Sequence, residues 1–131
     1  MRHPSALIAL SYLLALGLPC HAAEPQWQKA LCKIWSGKES SASMVGCEKI
    51  NNAAPAGAFA LRGPEILRRY GVTDLSVTPI SPGKAEVRGL TERANNSRWG
   101  EARHRVGLWD CWVGEDFGIC VRPQVQPNTP R

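Results

Sequence analysis

A chain of 131 residues with 16 basic and 11 acidic side chains, a net charge of +5, has room for one domain with a modest core and excludes a second. No run beyond the first segment is apolar enough to span a bilayer. The positive balance points toward anionic partners, namely polysaccharide, lipid headgroup or nucleic acid, without choosing among them.

The chain opens MRHPSALIALSYLLALGLPCHAAEPQ. Arg2 and His3 supply a basic start, Ala6 to Leu18 an apolar run too short for a membrane span, and Ala22 and Ala23 the small residues of a cleavage region. Residues 1–23 therefore read as a signal peptide, and the mature chain as a periplasmic or secreted protein of bacterial type. Cys20 is a poor lipid-anchor cysteine because Pro19 stands where that signal wants Gly, Ala or Ser. A single domain over 24–122 and a proline-rich disordered tail over 123–131 complete the expected organisation.

With Cys20 removed, Cys32, Cys47, Cys111 and Cys120 remain. An even number in a small exported chain predicts disulfides, each contributing on the order of 3 kcal/mol. Pairing Cys32 with Cys47 and Cys111 with Cys120 sets each pair symmetrically about a turn signal, SGKESS in the first loop and VGEDFG in the second. No Cys-x-x-Cys is present, and His104 is the sole histidine after residue 23, so the spacing suits neither a redox site nor zinc, and no cofactor signature accompanies it.

Trp27, Leu31, Ile34 and Trp35 recur at i, i+4, i+7 and i+8, which predicts a helix ending at Gly37. A second helix is expected from Ser40 or Ser41 to about Asn51, with Met44, Cys47 and Ile50 on one face, so that the first disulfide clamps a helical hairpin. NNAAPAGAFALRG reads as loop. GPEILRRYGV carries a short third helix: Gly63 and Pro64 open it, Arg68 and Arg69 suit its negative end, and Gly71 stops it.

The period then changes from 3.6 to 2. DLSVTPI and AEVRGLT flank Pro82-Gly83 as a β-hairpin, with two registers open: Leu75 and Val77 opposite Leu90 and Arg88, or Val77 opposite Val87. Pro79 belongs at an edge or near a strand end. A long strand follows, with Ala102, His104, Val106, Leu108 and Trp112 on one face and Trp99, Arg103, Arg105 and Trp109 on the other. The second disulfide pins its return strand. The fold class expected is α+β: a helical hairpin and third helix, then an antiparallel sheet of about four strands.

The face formed by Trp99, Arg103, Arg105 and Trp109 is the candidate binding surface, because arginine and exposed tryptophan combine contact area with directional bonding. The leading functional reading is a non-enzymatic module docking on an envelope or secretion-apparatus component, or on a toxin it neutralises. The alternative is a small secreted hydrolase. Helices preceding an antiparallel sheet are similar in order to the microbial ribonucleases, and that architectural resemblance implies Glu86 as base, Arg88 as phosphate clamp and His104 as acid.

Overall fold

The computed structural model describes residues 26–124 and Gly17. The expected signal peptide, residues 1–23 apart from Gly17, and the expected tail from Val125 onward lie outside the described residues. Among the described residues eight strands and one α-helix form: β1 Gln28–Ser36, β2 Ser43–Asn51, β3 Phe59–Arg62, α1 Pro64–Tyr70, β4 Val72–Ser81, β5 Lys84–Thr91, β6 Asn96–Val106, β7 Asp110–Val113 and β8 Phe117–Pro123. Every strand pairs antiparallel with its sequence neighbour, and β1 pairs with β8, so the sheet closes on itself as a barrel. Closure leaves no unpaired strand edge.

The expected helical hairpin is corrected by β1 and β2, and the sheet of about four strands by a barrel of eight. Ala30, Cys32 and Ile34 alternate into the barrel interior, whereas Trp35 points outward and is nevertheless buried at 3 % exposure. An apolar residue buried on the outer face next to an inward Ile34 imitates helical spacing. Small inward residues, Ala30 and Cys32, further mask the period of two. The same holds in β2, where Val45 and Cys47 face in and Met44 lies exposed. Gly37, at φ +91°, turns the chain between the two, with a short 3-10 turn at Glu39–Ser41 before β2.

Helix α1 forms where its punctuation places it. Pro64 occupies the first turn, and Gly71 at φ +68° donates its backbone N–H to the Leu67 carbonyl at 2.8 Å. Its Ile66 is fully buried, so the helix plugs the end of the barrel at which β1 finishes and β2 begins. Tyr70 assists by donating its hydroxyl to the Ile34 carbonyl at 3.1 Å. The β4–β5 hairpin adopts the second register, Val77 opposite Val87, and Pro79 falls near the strand end beside an irregularity in the pairing. The stretch expected as loop contributes β3, whose Phe59 and Leu61 are buried.

Ile34, Leu61, Leu75, Val77, Val87 and Ile119 fill the interior at 0 % exposure. Lys33, Glu86, Arg88, Glu101 and Arg103 decorate the outside, each partly or fully exposed. Apolar inside and charged outside is the inverse of a membrane-spanning barrel, and β3 and β7, at 4 residues each, are far shorter than the 9–11 such a strand needs. No described helix is long and apolar enough to cross a membrane.

Both disulfides pair as expected, but on opposite sides of the wall. Cys32–Cys47 lies inside and spans β1 and β2 diagonally, because Cys32 faces Val45 and Cys47 faces Ala30. Cys111–Cys120 joins directly opposed residues of β7 and β8 on the outer face, where Trp35 covers it.

Burial raises the pKa of the Tyr70 phenol, against the smaller opposing effect of Arg69. A raised acid pKa means that the folded state holds the proton more tightly than the unfolded chain. Its contribution is therefore complete below the ordinary phenol value of about 10 and is lost as pH rises through the folded value. Positions 12 and 70 hold the two tyrosines, so in a chain starting at Glu24 an ultraviolet titration reads Tyr70 alone. We expect its phenolate to form above pH 10 with coincident loss of stability, and a Tyr70→Phe variant to lose that alkaline component. An ordinary phenol titration that leaves stability flat contradicts the assigned burial.

Candidate functional site at the open end of the barrel

The antiparallel order collects the start of β1, the end of β2, the β4–β5 and β6–β7 turns and the end of β8 at the barrel end opposite α1. Here the strands outrun the core. Val106 and Leu108, in and beside the β6–β7 turn, are 77 % and 89 % exposed. Apolar side chains this exposed gain nothing from folding, and Val106 and Leu108, two positions apart at one hairpin tip, are more exposed than the other large exposed apolar residues, Met44 and Ile80.

The surroundings of this tip are built from both faces of the wall. On the inner side, His104 stacks on Trp112 with ring centroids 4.4 Å apart and an interplanar angle of 19°. Its Nε2 is hydrogen-bonded to Asp110 Oδ1. Trp112 is 8 % exposed and its Nε1 has no hydrogen-bond partner among the described residues. On the outer side, Arg105 donates to Glu39 Oε1 at 2.7 Å, and Lys33 approaches the same carboxylate at 3.5 Å. The hydrogen bond from Arg105 holds the Glu39 carboxyl below its ordinary pKa, with the nearby positive charges adding to the effect. Glu39 in turn raises the pKa of Arg105.

Two of the four residues expected to form a binding face meet here: Arg105 and Trp109 line a shallow cavity of about 190 Å³ together with Lys33, Val106 and Leu108. Arg103 lies on the same strand, exposed. Trp99 does not join them. At the junction where Val87 pairs with Gly100 but Arg88 pairs with Arg98, β6 carries one extra residue, Trp99 itself, which breaks the alternation and turns the indole inward. It packs edge-on against Tyr70 at 5.7 Å and Phe117 at 5.8 Å, at the α1 end.

Of Glu86, Arg88 and His104, the structure brings the first two together and sets His104 elsewhere, with Trp112 and Asp110. Glu86 lies on the outer face of β5, bonded to Arg88 at 2.9 Å and Arg98 at 3.1 Å. His104 follows the inward parity of Ala102. Among the described residues no group of three or more His, Cys, Asp or Glu is placed to hold a metal.

Sequence reasoning did not find the second cavity at this end, about 310 Å³, bounded by Gln28, Lys29 and Ala30 of β1, Lys49 of β2, Asp110 of β7, and Val121 and Arg122 of β8. Its members come from four strands, and no local motif links them. Arg122 also lies over the Trp109 ring at 4.4 Å, so the cavity and the hairpin tip share a wall. No family model, curated protein or solved structure matches this chain.

Proposed function

We propose that the protein is an exported, non-enzymatic binding module, and that it docks on an envelope component, a secretion-apparatus subunit or a toxin through the tip of the β6–β7 hairpin. The observation that carries this reading is the exposure of Val106 and Leu108, at 77 % and 89 %, inside a rim of Arg105, Trp109 and Lys33. Apolar anchors surrounded by arginine and tryptophan suit a contact that excludes water at its centre and bonds at its edge. The two disulfides support an oxidising compartment.

The test compares wild type with Leu108→Asp and with Arg103→Ala/Arg105→Ala in cross-linking and capture from an envelope extract. Solvent-exposed substitutions of this kind should change stability by no more than about 0.5 kcal/mol, while recovery of the partner should fall at least tenfold. Recovery of the same species by wild type and Leu108→Asp rejects the hairpin as the docking element. Export has its own readout: intact mass after expression in a bacterial host should correspond to loss of residues 1–23.

A further inference from the structure

We propose that the open end of the barrel rests on an anionic phospholipid surface, with the tips of the β4–β5 and β6–β7 hairpins dipping among the headgroups. This rests on the docking reading above and names its partner. Four large apolar side chains are exposed among the described residues, and three of them, Ile80, Val106 and Leu108, stand on these two tips. The fourth, Met44, lies on the outer wall opposite Lys33. The two tips are neighbours: the Gly83 carbonyl accepts the His104 backbone N–H at 2.9 Å, and Lys84 pairs with Arg103. Ile80, 55 % exposed, is the extra residue of the irregularity between Pro79 and Ser81, so it has no paired residue on β5.

Charge selects the partner. Lys84, Arg103 and Arg122 alternate with the buried Ala85, Ala102 and Val121, which puts all three on the outer wall behind the tips. None of them forms an ion pair among the described residues, whereas Arg105 beside them is held by Glu39. The carboxylate within the β6–β7 turn region, Asp110, turns to the inner side and is bonded to His104. The next carboxylates on the outer wall, Glu86 and Glu101, stand two residues behind Lys84 and Arg103, away from the tips, and Glu86 is taken up by Arg88 and Arg98. Free cations spread over three strands suit a surface of repeated negative headgroups, which demands no single register. Aliphatic side chains carried on two separate tips suit a soft partner that they enter. Trp109, with the Arg122 guanidinium 4.4 Å from its ring centroid, adds an amphipathic pair of the kind that settles at headgroup level.

The test is flotation of the oxidised chain starting at Glu24 with vesicles of phosphatidylglycerol and phosphatidylethanolamine in equal parts, against vesicles of phosphatidylcholine alone. Association with the anionic vesicles is expected, at least tenfold weaker on phosphatidylcholine and weakened by added salt. Ile80→Asp/Leu108→Asp and Lys84→Gln/Arg103→Gln should each lower it at least tenfold. Met44→Asp, on the wall, and Arg68→Gln/Arg69→Gln, on α1 at the opposite end, should leave it within about twofold of wild type. No association with the anionic vesicles overturns the proposal, as does equal binding to phosphatidylcholine. An equal loss in Arg68→Gln/Arg69→Gln and Lys84→Gln/Arg103→Gln also overturns it, because net charge and not this end would then govern binding. If the vesicles fail while Leu108→Asp still loses a protein from the envelope capture, the lipid proposal falls and the docking reading stands.

Discussion

Replacing the inner bridge with Cys32→Ala/Cys47→Ala is expected to lower the free energy of unfolding by about 4 kcal/mol. Roughly 3 kcal/mol follows from releasing the loop it closes in the unfolded chain, which spans a separation of 15 residues. About 1 kcal/mol more comes from the space left when two buried sulfurs are removed, since Cys32 is 0 % and Cys47 7 % exposed. A domain of this size has only about 5–15 kcal/mol in total, so the variant should unfold at markedly lower urea. Cys32→Ala/Cys47→Val refills part of that space and should recover about 1 kcal/mol. Removing Cys111–Cys120 by a pair of alanines releases a shorter loop, with a separation of 9 residues, and on loop entropy alone should cost slightly less, about 2.5 kcal/mol. Urea denaturation of the variants checks the order; an inner variant as stable as wild type would remove the bridge from any part in holding the barrel closed.

Gly118→Ala is expected to be nearly as damaging, although it adds one methyl group to a strand. Gly118 stands opposite Trp35 across the β1–β8 seam, and a Cβ there would sit 1.9 Å from the indole Cζ2. Contact at that distance forces the ring to move, and the ring is the cover over Cys111–Cys120. Overpacking of this kind costs about 1–3 kcal/mol, while Trp35→Ala should cost about 3–5 kcal/mol by removing the cover altogether. The decisive comparison is the double variant. If the cost of Gly118→Ala arises from Trp35, it should nearly vanish in a Trp35→Ala background, giving a large coupling energy. Additive costs would place the strain elsewhere. Tryptophan emission should shift to the red in Gly118→Ala as the indole, 3 % exposed in the wild type, moves into water.

The second of these experiments probes the β1–β8 seam that converts a meander into a closed barrel, and that seam was the least legible part of the chain. Ile34 lies opposite Ile119, a pairing between the first and last strands. Its hydrogen bonds depend on all the intervening strands being in register, so no window of neighbouring residues carries its signature. Helix α1 differs because a proline at the start and a left-handed glycine at the end act on their own backbone. The β4–β5 turn behaves in the same way, although choosing its register required Val77 and Val87 to find a common interior. Both disulfides were legible because each joins neighbouring strands of one hairpin.

The candidate site divides along the same line. Arg105 and Trp109 lie close in the chain around one turn, and their proximity followed from it. Trp99 was assigned to their face by strict alternation, which a single extra residue against β5 reversed. The cavity at the open end is bounded by residues of β1, β2, β7 and β8 that are far apart in sequence, and it formed only when the barrel closed.

By itself, then, the order of residues determined the features whose energy is spent locally: the start and stop of α1, the Pro82-Gly83 turn, and the partners of each cysteine. Tertiary structure decided whether Ala30, Cys32, Ile34 and Trp35 would be helix or strand, because that choice depends on having an apolar neighbour on both faces. Cys47 and Ile119 supply one inside, Gly118 and Cys120 make room for the other outside, and every one of them arrives from another strand.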